Sequence, residues 1–105
     1  MRITVPMARV LSAFLSDVDE DRYGLDLMRL TGLLSGTLYP ILRRLQESGW
    51  VDAEWEAIDP AAEGRPARRY YRLTAQGADN ARTALAELHA QTSTGTRTAG
   101  EVRPA

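Results

Sequence analysis

The sequence predicts a mostly α-helical fold with a small two-stranded β-element, and three stretches carry that prediction. Leu38, Ile41, Leu42 and Leu45 recur at helical spacing behind a glycine-containing turn. Val51, Ala53, Trp55 and Ala57 then alternate with Asp52, Glu54 and Glu56, the period of two expected of a strand with one buried face. Arg69-Tyr-Tyr-Arg-Leu-Thr74 shows the same period after a loop rich in turn residues. A helix-turn-helix followed by two antiparallel strands is a winged helix-turn-helix, and here an additional C-terminal helix suited to dimerisation follows it.

In chain order, Met1 to Asp17 reads as an amphipathic helix. Pro6 sits where a missing N–H costs little, and Val10, Leu11, Phe14, Leu15 and Val18 fall at helical spacing. Asp17 to Arg22 is an acidic connector, read as a solvated loop that phosphate would avoid. On the next, short helix Tyr23, Leu27 and Leu30 share a face, and Gly32 ends it as a residue free to take positive φ. Ser35 is the expected N-cap of the second helix of the motif. Turning its leucines inward leaves Gly36, Pro40, Arg43, Arg44 and Glu47 outward, with Thr37 and Tyr39 flanking them. Short hydroxyl and glycine positions beside two arginines suit close approach to a duplex, and a helix N-terminus presents free N–H groups to phosphate. Ordinary solvated charge is the alternative for Arg43 and Arg44. Pro40 requires the helix to start close to Ser35.

Gly49 is the expected residue after the helix end, and the strand runs from Trp50 to Ile58. Its acidic face is expected to point away from both core and DNA. The loop 59–68 is the wing, and Arg65, Arg68 and Arg69 form a flexible basic tip that could follow a phosphate backbone or enter a minor groove. Trp50 and Trp55, in or beside the first wing strand, are read as core packing. Thr74 caps a last helix, Ala75 to about Gln91, on which Ala78, Ala81, Leu85 and Leu88 make a narrow stripe. Small side chains permit close helix–helix approach, which suits a dimer contact, and Phe14 of the first helix is assigned to the same surface. Packing back onto its own domain is the alternative. Residues 1–91 thus form the winged domain with its dimerisation helix at 75–91, and 92–105, without apolar pattern, are expected to be a disordered polar tail.

Composition bounds the function. One hundred and five residues make one domain with a modest core. There is no cysteine, no apolar run long enough to span a bilayer, and no secretory signal, so a cytoplasmic location is expected. A single histidine, His89, and the absence of a Gly-rich phosphate loop or metal-ligand cluster argue against an enzyme, a cofactor or a metal. The formal net charge of −1 means that any DNA surface is local. From Met1 to Ile58 the acids outnumber the arginines 9 to 6, whereas Asp59 to Leu73 carries 4 arginines against 2 acids. The rival to a DNA-binding regulator is a winged helix that binds protein, which the acidic face at Asp52, Glu54 and Glu56 allows.

The chain resembles the PadR family of bacterial transcriptional regulators. The matching residues are Tyr23-Gly24, Gly36-Thr-Leu-Tyr-Pro40, Arg44-Leu45 with Gly49, the wing's Gly64-Arg-Pro66, Arg69-Tyr-Tyr71, and Leu73-Thr74 with Gly77. The resemblance covers roughly residues 7–88 and points to a short subclass without the large C-terminal helical domain. It implies a homodimeric repressor of a pseudo-palindromic operator in double-stranded DNA, dimerised through its terminal helices and, in some members, released by a small-molecule effector such as a phenolic acid. On that basis Ser35, Thr37, Tyr39, Arg43 and Arg44 would meet groove and phosphate, and Arg65, Arg68 and Arg69 the backbone beside it.

Overall fold

In the computed structural model, residues 1–102 are described, with side chains described for 1–91. Helix α1 spans Val5–Leu15, with Thr4 as its N-cap accepting from the Met7 N–H and Pro6 in the first turn. A two-residue strand β1, Arg22–Tyr23, leads into α2, Gly24–Thr31. Helix α3 covers Ser35–Glu47. Strand β2 is Val51–Trp55, a one-turn helix α4 is Pro60–Glu63, and strand β3 is Arg69–Leu73. Helix α5 runs Ala75–Val102.

The turns form where backbone freedom was expected. Gly32 takes φ of 73° after α2 and Gly49 takes 76° after α3. Behind α3 the Gly49 N–H bonds to the Gln46 carbonyl and the Trp50 N–H to that of Leu45, the paired bonds of a Schellman end. Between α2 and α3 the buried Thr31 hydroxyl donates to the Leu27 carbonyl and accepts from the Leu33 N–H, so the turn buries no idle hydroxyl.

One core joins the elements. Met7, Val10, Leu11 and Phe14 of α1 meet Leu27 of α2, Leu38, Leu42 and Leu45 of α3, Val51 of β2, Tyr71 and Leu73 of β3, and Ala78 and Ala81 of α5. Three of the residues expected at a dimer seam are therefore in this core: Phe14 is 1% exposed, Ala78 8% and Ala81 0%. The small side chains of Ala78 and Ala81 let α5 pack closely within one chain, so the alternative reading holds for them, and Phe14 fills the core they pack against. Leu85 and Leu88 are half-buried at the edge of this packing. Leu30, at helical spacing from the buried Leu27, is exposed.

The sheet has three strands, not two, in the order β1-β3-β2 and all antiparallel. The stretch read as a connector thus ends in a strand: Arg22 pairs with Tyr71 and Tyr23 with Tyr70. Two residues carry no periodicity, so this pairing is a tertiary event. On the other edge of β3, Val51 lies opposite Leu73, Ala53 opposite Tyr71 and Trp55 opposite Arg69. Helix α5 continues to Val102, beyond the expected end at Gln91; no proline interrupts it before Pro104. The side chains of 92–102 and all of 103–105, where a disordered tail was expected, lie outside the described residues. Among the described residues no helix is long and apolar enough to cross a membrane.

Candidate nucleic-acid interface

Helix α3 buries Leu38, Leu42 and Leu45 and half-buries Ile41, which turns Ser35, Gly36, Thr37, Pro40, Arg43 and Arg44 to solvent. The N-cap is Leu34, not Ser35; Ser35 is the first helical residue, and no side chain caps the helix. Leu34 has the extended backbone a cap requires, and its carbonyl accepts from the Thr37 and Leu38 N–H groups. The Ser35 and Gly36 N–H groups have no acceptor within the helix and face outward with their exposed residues. Among the described residues neither Arg43 nor Arg44 forms an ion pair. Arg44 flanks a small hollow against α1 with Thr4, Met7, Pro40 and Ile41.

Tyr39, 44% exposed, leans the other way, toward the start of α2. A Cβ at Gly24 would overlap the Tyr39 hydroxyl and lie 2.9 Å from Cζ, so the glycine makes room for this ring. The two motifs Tyr23-Gly24 and Gly36 to Pro40 are thereby one packing unit. Beside it opens a cleft of about 380 Å³ lined by Tyr23, Leu25, Tyr39, Arg68, Arg69 and Tyr71. Burial pushes the Tyr71 hydroxyl up from its ordinary value, while Arg69 opposes that rise and Tyr39 adds to it. The cleft thus brings α3 and the wing together at two arginines.

The wing arginines divide into two pairs. The Arg65 guanidinium grips the Glu56 carboxylate with a fork, Nη1 to Oε1 at 2.7 Å and Nη2 to Oε2 at 3.2 Å. Glu56 also accepts from the Arg68 backbone N–H at 2.8 Å and from the Tyr23 hydroxyl at 3.3 Å. Arg65, expected at a flexible tip, is instead tied to the base of the wing and its charge is matched. Glu56, expected on a face pointing outward, is the carboxylate that ties it. Arg72 pairs with Asp21 at 2.6 Å. Arg68 and Arg69 are exposed and, among the described residues, make no ion pair. The Arg68 guanidinium lies 5.9 Å from the centre of the Tyr23 ring and that of Arg69 lies 5.5 Å from that of Trp55.

The Glu56 latch gives a pH prediction. The Arg65 fork, aided by the Arg68 N–H, holds the Glu56 carboxyl down to about 2 against an ordinary 4.5, despite the opposing effect of its burial. The depressed folded-state value makes the contribution complete above pH 4.5 and lost as pH falls through 2. Glu56→Gln is expected to flatten the acid limb of a plot of Tm against pH across that window. Parallel limbs for the two proteins would remove the latch.

The family model for the transcriptional regulator PadR-like family matches residues 14–83. Among solved structures, smu.1704 from Streptococcus mutans UA159 is 25% identical, with a TM-score of 0.71 over 95% of this chain and 94% of that one. A PadR family transcription regulator from Clostridium difficile R20291 is 19% identical, with a TM-score of 0.73 over 90% and 98%. The S. aureus MepR of a MepR–DNA complex is 16% identical, with a TM-score of 0.66 over 96% and 77%, a likeness of fold. Comparison with curated proteins finds no match.

Proposed function

This chain belongs to the PadR-like family of transcriptional regulators, and from that membership we propose that it binds double-stranded DNA as a homodimer and represses transcription from a pseudo-palindromic operator. It is a regulator and not an enzyme. The observation that carries the DNA reading is the set of exposed arginines without carboxylate partners: Arg43 and Arg44 on α3, and Arg68 and Arg69 beside the cleft. Uncapped amides at the start of α3 add to an anion-seeking surface. Ser35, Thr37 and Tyr39 stand among these groups as groove and backbone contacts, whereas Arg65 acts on the wing and not on the duplex. That the neighbouring fold of MepR was solved with DNA is in keeping with this reading.

The homodimer rests on α5. Helix α5 runs 28 residues, past Ala78, Ala81 and Leu85 that pack on its own core, and most helical stability in proteins comes from packing of a face; a second copy would supply that packing with the two-fold symmetry that a palindromic operator matches. Leu85 and Leu88 remain candidates for its contact. Sedimentation velocity is expected to give twice the mass of one chain. A cytoplasmic location accords with a regulator of transcription.

The test is an anisotropy titration against the duplex upstream of the chain's own gene, at two salt concentrations, with random DNA as competitor. Tight binding that resists the competitor and falls steeply with salt is expected. The exposed acids Asp52 and Glu54 on the outer sheet face favour the rival, a protein-binding module. Binding indifferent to duplex sequence, or insensitive to salt, would favour that rival.

A further inference from the structure

Trp55 is out of place for a core residue. Its register opposite Arg69 puts it on the same sheet face as Val51, Ala53, Tyr71 and Leu73, the face that packs on the helices. Burial along that face fades from Val51 through Ala53, and Trp55, where the strand has run past the core, is 60% exposed. The Arg69 guanidinium lies over its ring at 5.5 Å. Arg69 also lines the cleft shared with Tyr39 and Leu25, so the indole continues the surface that holds the unpaired arginines. A large exposed aromatic flanked by cations without carboxylate partners fits a polyanion better than an apolar protein surface.

We propose that Trp55 and Arg69 act as one minor-groove contact, with the guanidinium in the groove and the indole against its deoxyribose wall; the proposal rests on the DNA reading above. Negative potential in a narrow minor groove draws arginine, and apolar side chains enter the same groove against sugars and bases. The cation–π contact with the indole restricts the guanidinium before DNA arrives, which reduces the freedom that binding would remove. Trp55 is thus both a contact and the residue that positions Arg69.

The probe is a duplex selected by the full chain from a random pool. The protein has two tryptophans, so Trp50→Phe leaves Trp55 as the sole emitter. The duplex is expected to shield that emission from acrylamide. In the otherwise unaltered chain, Trp55→Ala is expected to weaken binding roughly thirtyfold, the size of a desolvated cation–π contact, with Trp55→Phe restoring much of it. Arg69→Ala should also lower the salt slope by about 1, whereas Trp55→Ala, which removes no charge, should leave that slope in place. The thermal midpoint should be unmoved by Trp55→Ala, since the side chain is outside the core. An indole equally open to acrylamide with duplex bound, together with unchanged affinity of Trp55→Ala, would overturn the contact and leave the DNA reading intact. Failure of the full chain to select any duplex would sink both.

Discussion

Replacing Gly77 by alanine is expected to lower the midpoint of thermal unfolding by roughly 10–20 °C, the consequence of a loss of about 3 kcal/mol in a domain of this size. Gly77 lies in the first turn of α5, where the chain passes against the start of β2. The Thr74 hydroxyl accepts from the Gly77 N–H at 2.9 Å and donates to the Gly49 carbonyl at 2.8 Å. The Thr74 N–H bonds to the Trp50 carbonyl at 2.9 Å. A Cβ on Gly77 would overlap that carbonyl and lie within 2.7 Å of the Trp50 Cα. Both sides of the clash are backbone, so no rotamer change relieves it. The joint would have to open, and with it the packing of Ala78 and Ala81 on α1. Gly36→Ala is the control, because nothing lies within 4 Å of a Cβ there and α3 gains a better helix former. Its midpoint should be unchanged or higher. Equal midpoints for Gly77→Ala and the unaltered chain, followed by circular dichroism, would mean that α5 does not seat on Trp50 as described.

The second large effect is on DNA. Changing Arg43 and Arg44 together to alanine is expected to weaken duplex binding on the order of a hundredfold, each arginine contact being worth about 1–3 kcal/mol. It should also flatten the dependence of log affinity on log salt by about 2. Neither side chain is buried or ion-paired among the described residues, so the fold should persist. Arg72→Ala gives the comparison: that guanidinium already has the Asp21 carboxylate at 2.6 Å and should contribute little to binding. A double variant that bound as tightly as Arg72→Ala would remove α3 as the recognition helix.

What could be read from the sequence was local. The leucine spacing of α3, the glycines at 32 and 49, and the period of two in β2 and β3 each follow from the conformation of a few neighbouring residues, and the structure has them. The family motifs were legible too, and packing now accounts for two of them: Gly24 makes room for Tyr39, and Gly77 for the backbone of Trp50. What escaped depended on distant parts of the chain. Strand β1 exists because β3 offers it an edge, and nothing in Arg22-Tyr23 alone signals that. Glu56 looked like one more acid on a solvated face until the turn at α4 brought Arg65 back to it. Trp55 obeyed the alternation of a buried face, but the alternation says which side a residue takes and not where the core stops. Phe14, Ala78 and Ala81 formed apolar stripes that one chain or two could bury equally well; the stripe alone does not say how many chains share it. The one-turn α4 had its signals in Asp59-Pro60 and Gly64, and Asp59 does cap it by accepting from the Ala61 N–H, but a loop was the simpler reading.

Two of the four arginines between Arg65 and Arg72 are matched by carboxylates of the same chain. For a regulator of DNA, that arithmetic governs the search for its target. Every phosphate neutralised on arbitrary sequence lengthens the stay there, and a chromosome offers millions of such sites. With Arg65 and Arg72 paired internally and an overall charge of −1, each accidental encounter is expected to be shorter than if all four arginines were unpaired. Fewer copies would be held on arbitrary sequence, and discrimination among duplexes would depend on the few side chains that read them.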